Sequence, residues 1–156
     1  NLIMIESFCR VGRILAFWNL VWAATSGIYS TINGEEAGLC IIQKDDNYIL
    51  FDVRHEDNEN VLRLVINDKK KNALLQKDLV MGKKYKNYIE LKVILKENKY
   101  HFYYRYQSND LWELFDTAAS NLLLSEGYTG SHIGLYATSN GKKSINFASF
   151  DVFKLN

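Results

Sequence analysis

The sequence predicts an all-β protein, an antiparallel sandwich or jelly roll, and three observations carry that prediction. Short runs rich in Ile, Val, Leu, Tyr and Phe recur along the chain, residues that suit a pleated, half-buried surface. Polar breaks rich in Gly, Asn and Asp separate them, and no proline occurs anywhere, so the turns rest on residues that tolerate unusual backbone angles. No useful length of chain repeats its apolar residues with the helical period, which argues against a βαβ arrangement.

Taken in order, "AGLCIIQ", "NYILFDVR" and "VLRLVIN" are strand-like and are punctuated by "NGEE", "KDDN", "HEDNEN" and "NDKKKN". "LLQKDLVMG" reads either as a helical turn or as an irregular strand. In "YIELKVIL", Ile89, Leu91, Val93 and Leu95 share one face while Glu90 and Lys92 point to water. In "YHFYYRYQ", Tyr100, Phe102, Tyr104 and Tyr106 form an aromatic face, expected to be core rather than a ligand platform. A hairpin from Tyr100 through "QSND" to Phe115 is the clearest local prediction. "HIGLYAT" and "INFASFDVF" supply the last strands.

A chain of 156 residues suits one domain, residues 1–156. With 47% hydrophobic and 24% charged residues it has an ordinary globular balance. The formal charge is +1, and the clusters Lys69-Lys70-Lys71, Lys83-Lys84 and Lys142-Lys143 sit beside turn residues, so no nucleic-acid partner is expected. The first thirty residues are apolar but broken by Glu6, Arg10, Arg13 and Asn19, short of the ~20 clean residues a spanning helix needs. Neither a membrane association nor an export signal is expected. Cys9 and Cys40 lie in apolar segments and suit a reducing compartment, so the expected location is cytoplasmic.

Catalytic signatures are missing: no H-E-x-x-H, P-loop, G-x-G-x-x-G, G-x-S-x-G or C-x-x-C occurs. His55, His101 and His132 are too scattered for a zinc site. Among carboxylates, Asp52, Asp110, Glu113, Asp116 and Asp151 qualify for the pair a glycosidase needs. Structural roles explain them sufficiently: Asp110 belongs to a turn, and Glu113 reads as the outward residue between a buried Trp112 and Leu114. No cofactor is expected, although loop residues Asp45, Asp46, Asp57 and Glu59 leave a structural calcium open. Trp18, Trp22, Trp112 and Tyr128 are the candidate sugar-stacking aromatics. Trp22 and Trp112 read as core, whereas Tyr128 lies between Gly127 and Gly130 on a tight bend that presents its ring outward.

Three stretches carry a resemblance. "EEAGLCIIQKDDNYILFDVR", "YHFYYRYQSNDLWEL" and "GYTGSHIGLYATSNGKKSINFASFDVFKL" resemble, in order and spacing, the C-terminal domain of glycoside hydrolase family 43 β-xylosidases. Glu36, Ala37, Gly38, Leu39 and Tyr48 meet the first motif; Phe102, Tyr103, Asn109, Asp110 and Trp112 meet the second. Gly127, Thr129, Gly130, Gly134, Leu135, Tyr136 and Ala137, then Phe147, Ala148, Phe150, Asp151 and Phe153, meet the third. The likeness runs from about residue 35 to 155, and residues 1–34 match poorly.

The resemblance implies a concanavalin-like β-sandwich that is not an enzyme by itself. Its implied partner is a catalytic five-bladed propeller bearing two aspartates and a glutamate. It also implies that the aromatic of the G-F-T-G loop, here Tyr128 with Gly127, Thr129 and Gly130, closes the rim of the partner's xylo-oligosaccharide pocket. The alternatives are a free-standing module that binds xylan or xylo-oligosaccharides and a structural domain that assembles a homo-oligomer.

Overall fold

The computed structural model describes residues 12–13, 20–28, 30–69, 71–123 and 130–155, with side chains only between residues 30 and 150. The described residues form two antiparallel sheets facing each other, as the apolar alternation requires. Sheet A takes the order β1 (Gly12–Arg13), β10 (His132–Thr138), β3 (Glu36–Lys44), β4 (Asn47–Glu56), β5 (Glu59–Asp68) and β6 (Ala73–Val80). Sheet B takes the order β11 (Ala148–Leu155), β2 (Leu20–Ile28), β7 (Ile89–Lys96), β8 (Lys99–Arg105) and β9 (Glu113–Ala119). The predicted sandwich is therefore the observed fold. The ambiguous "LLQKDLVMG" is edge strand β6 followed by a 3-10 turn at Gly82–Lys84.

Period-two alternation builds the core. Ile49, Phe51 and Val53 of β4 face inward against Ile89, Leu91 and Val93 of β7 and Tyr100, Phe102 and Tyr104 of β8. Phe51 meets Phe102 edge-on across the sheets at 5.3 Å between centroids, and Phe115 at 5.6 Å. Each such side chain contributes about 1.5–3 kcal/mol by leaving water. The aromatic ladder of β8 is core, as expected.

Tight turns replace the missing prolines. Asp57 and Asn58 (φ 51° and 63°) join β4 to β5, and Glu97 and Asn98 (φ 52° and 60°) join β7 to β8. Two consecutive left-handed residues match the right-handed strand twist, which selects short polar side chains and makes Glu97 the strained member.

The β8–β9 hairpin forms as predicted, and its turn is closed by the Gln107 amide donating to the Asp110 carboxylate at 3.1 Å. Its outgoing strand corrects one expectation. Pairing slips between Phe102 with Asp116 and Tyr103 with Leu114, so Phe115 is the extra residue of a bulge. The bulge shifts the parity upstream: Leu114, expected to be buried, is 54% exposed, while Glu113 is exposed as expected and accepts from the Tyr104 hydroxyl at 3.0 Å. Trp112 is likewise not core. It lies half-buried against Lys92 and Arg105 on the outward side of sheet B. Among the described residues no helix is long and apolar enough to cross a membrane.

Candidate functional site on the outer face of the six-stranded sheet

Cross-strand register places Tyr136, Gly38, Asp52, Arg63 and Asp78 in one row across sheet A, on the face turned away from the core. A side chain here would ordinarily meet water, yet Asp52 is fully buried and Arg63, Glu36 and Tyr136 nearly so. Arg63 explains the burial. Its Nε and Nη2 donate to the two Asp52 oxygens at 3.0 and 2.8 Å, and Nη2 also reaches Glu36 at 2.7 Å. The Tyr136 hydroxyl donates to Asp52 from the other side. Arg54 closes the group, 3.4 Å from Glu36 and 3.1 Å from Glu56.

Gly38 makes this row possible. It lies between Tyr136 and Asp52 in the register, and a Cβ there would come within 2.4 Å of the Phe51 carbonyl oxygen and 2.5 Å of the Asp52 Cα. Any larger residue would have to push β4 aside and break the reach of Tyr136 to Asp52.

Burial lifts the Asp52 carboxyl to about 6, since the opposing pull of Arg63 is partly cancelled by the charge of Glu36. The same burial, with Asp52 and Glu36 alongside, pushes the Tyr136 phenol well above its usual range. A raised carboxyl beside a second carboxylate resembles an acid–base pair, but Asp52 has no exposed surface and its oxygens are already engaged. The group is a buried, neutralised floor.

Above that floor lies an open trough of about 420 Å³. Tyr48, Leu74 and Gln76 stand at one side and Asn33, Asn140 and Lys142 at another. Tyr48 is anchored at its base by the small apolar cluster of Cys40, Leu50, Val65 and Tyr136. The far wall is fixed by the Lys142 ammonium donating to the Asn33 carbonyl at 2.5 Å and the Asn140 amide to the Gly34 carbonyl at 2.6 Å.

Beside the trough, Glu35 fastens the chain before β3 to the loop before β11. Its carboxylate accepts from the amides of Thr31 (3.0 Å) and Ile32 (3.1 Å), from the Asn146 side chain (2.9 Å) and from the Ser144 hydroxyl. Burial alone would raise this carboxyl, but the donors of Ser144, Asn146 and the two amides hold it below the usual range.

Sheet B presents a different outer face. Lys92 and Arg105 lie over the two-ring system of Trp112 at 4.0 and 4.4 Å, and Lys92 also covers Tyr103 at 5.0 Å. Glu90, expected in water, is buried under Arg105 and accepts from it at 2.6 Å, and from Tyr88 at 2.6 Å and Ser108 at 2.5 Å. Burial acts to raise Glu90, and these donors outweigh it and lower it.

Gly127, Tyr128 and Thr129 lie outside the described residues, while Gly130 is exposed just ahead of β10. Where the chain resumes, Ser131 is buried and donates to the Leu123 carbonyl at 3.0 Å, so Leu123 and Ser131 are tied together. Trp18 and the side chain of Trp22 are outside the described residues, although β2 pairs Trp22 with Lys92. The calcium candidates do not converge: Asp45 and Asp46 occupy the turn at one end of β4 and Asp57 and Glu59 the turn at the other, with Asp46 paired to Lys69 at 3.0 Å. Among the described residues no His, Cys, Asp and Glu cluster is suited to a metal. His55 is buried and meets Asn60 at 3.1 Å, and His101 stacks on Tyr103. Arg63, the centre of the buried group, was not singled out by sequence reading. Glu36, Gly38 and Tyr136, by contrast, are positions of the family-like motifs, and that coincidence was the available signal.

Two antiparallel sheets packed face to face place the chain in the class of β-sandwich proteins. Within that class, residues 26–156 match the β-xylosidase C-terminal concanavalin A-like domain, and the chain belongs to that family. It is 27% identical over 148 residues to a non-reducing end α-L-arabinofuranosidase of Bacteroides ovatus, an alignment covering 92% of this chain and 27% of the relative. The chain thus spans about a quarter of the length of that curated relative, and its family is the C-terminal part of family 43 glycoside hydrolases. In fold it resembles a family 43 protein from Bacillus licheniformis (TM-score 0.78, 21% identity, 93% of this chain and 28% of that one). It also resembles a Saccharomyces cerevisiae protein described as functionally unknown (TM-score 0.67, 12% identity), of which it covers 72%, and 96% of this chain is covered in turn.

Proposed function

We propose that this chain is a non-catalytic accessory sandwich of a β-xylosidase-like or α-L-arabinofuranosidase-like hydrolase. It packs on a catalytic five-bladed propeller and helps close the propeller's sugar pocket with Tyr128, framed by Gly127, Thr129 and Gly130. The observation that carries this reading is the extent of the family match: it fills the chain from residue 26 to 156 and corresponds to a C-terminal domain. The chemistry supports it. The buried carboxylates Glu35, Glu36, Asp52, Asp68 and Glu90 are each engaged by a guanidinium or by hydrogen-bond donors, which argues against an acid–base pair set across a sugar-sized gap.

The test is Tyr128→Ala in the enzyme that joins this chain to its catalytic domain. A ring that shapes the pocket gives a raised KM or a lowered kcat for xylosides or arabinosides, restored by Tyr128→Phe. Unchanged constants would retire the role. A second reading, a free-standing carbohydrate-binding module, is favoured by the polar trough and by the yeast protein in which this fold makes up most of the chain.

A further inference from the structure

We propose that the trough on the outer face of sheet A, whose lining includes none of residues 127–130, is a binding site for a short neutral oligosaccharide. The first argument is shape. A volume of about 420 Å³ falls within the roughly 300–1,000 Å³ usual for small-ligand sites, and its floor is held by a network with little freedom to collapse. A sheet face meant only for water has no reason to bury Asp52 and Arg63 beneath it, because taking these charges out of water costs several kcal/mol per ion before pairing offsets it.

Charge decides the class of ligand. Arg54, Arg63 and Lys142 line the trough with Glu36 and Glu56, and Asp52 lies directly beneath, so the cations are balanced. Each is already engaged, Arg63 by Glu36 and Asp52, Arg54 by Glu36 and Glu56, and Lys142 by the Asn33 carbonyl. That balance leaves no surplus positive charge to draw in a phosphate or uronate. A neutral polyol needs no such charge: the Gln76 amide oxygen, whose Nε2 is held by Asp78 at 2.9 Å, the Asn140 amide beyond its bond to Gly34, and the remaining protons of Lys142 suit hydroxyl groups, and Tyr48 with Leu74 supplies an apolar wall for a pyranose face. Sheet B lacks this opportunity, since Lys92 and Arg105 already lie over Trp112.

The test is a titration of the ¹⁵N-labelled 156-residue chain with xylotetraose, cellotetraose and, separately, sodium glucuronate, followed by amide shifts. The proposal expects a saturable response to at least one neutral tetraose, centred on Asn33, Tyr48, Gln76 and Asn140. Tyr48→Ala should weaken it about tenfold by removing the stacking wall. Gln76→Ala, an exposed position whose loss leaves the fold intact, should weaken it about threefold or more. Tyr128→Ala should leave it unchanged, which separates failure of this site from failure of the pocket-rim role. Absence of any response, a response confined to residues 127–130, or a preference for glucuronate would overturn the assignment. So would a trough that responds only to an added catalytic domain, since its occupant would then be protein.

Discussion

The two outward faces of this sandwich both bury a carboxylate under an arginine, yet they leave different surfaces above it. Both carry charged and aromatic residues where alternation sends side chains to water. On sheet A the charges sink: Arg63, Asp52 and Glu36 neutralise one another under the surface, and an open trough remains above them. On sheet B Glu90 also sinks beneath Arg105, but there the cations cover half-buried aromatics, Lys92 and Arg105 lying over Trp112 and Lys92 over Tyr103. The difference teaches that an aromatic count does not locate a sugar platform. A ring already covered by two cations is closed to a ligand, whereas a single tyrosine beside a neutralised floor is available to one.

The sharpest way to break the comparison is Arg63→Met. It leaves Asp52 and Glu36 buried without their shared cation and should cost about 3–5 kcal/mol in chemical denaturation. A loss below 1 kcal/mol would mean that the floor is not the rigid unit described. On sheet B, Lys92→Met should cost no more than about 1 kcal/mol, because the aliphatic stem still covers Trp112 and only the cation–π attraction is lost.

A subtler distinction lies in pH. Asp52 is raised from 3.8 to about 6, so the folded state holds its proton more tightly than the unfolded chain. The stability this gives is present in full below pH 3.8 and is lost as pH rises through about 6. Glu35 and Glu90 are lowered from 4.5, so their contribution is present above 4.5 and lost as pH falls through their folded values. Melting curves of the wild type and Asp52→Asn should therefore draw apart in favour of the variant as pH climbs between about 4 and 6.5. Parallel curves across that window would place the Asp52 titration elsewhere.

The fold was legible wherever alternation ran unbroken. β7 and β8 announce their faces residue by residue, and the turns at Asp57-Asn58 and Gln107-Asp110 carry the side chains such bends need. Reading failed where pairing, not composition, sets orientation. The bulge at Phe115 pairs the exposed Glu113 with Tyr104 and turns Leu114 outward, and nothing in "LWELF" marks the slip. The site was legible only through motif. Tyr136 and Asp52 lie 84 positions apart in sequence, and only the β10–β3–β4 register brings them together across Gly38. No local pattern distinguishes Arg63, which completes the floor, from an exposed arginine on an alternating strand.

The central claim is that this sandwich serves a catalytic domain and does not itself cleave glycosides. Purified chain incubated with nitrophenyl β-xyloside and nitrophenyl α-L-arabinofuranoside tests it most directly. The account predicts no nitrophenol release above the buffer rate. Turnover that persists through purification and disappears when one of the chain's own carboxylates is changed to its amide would contradict it.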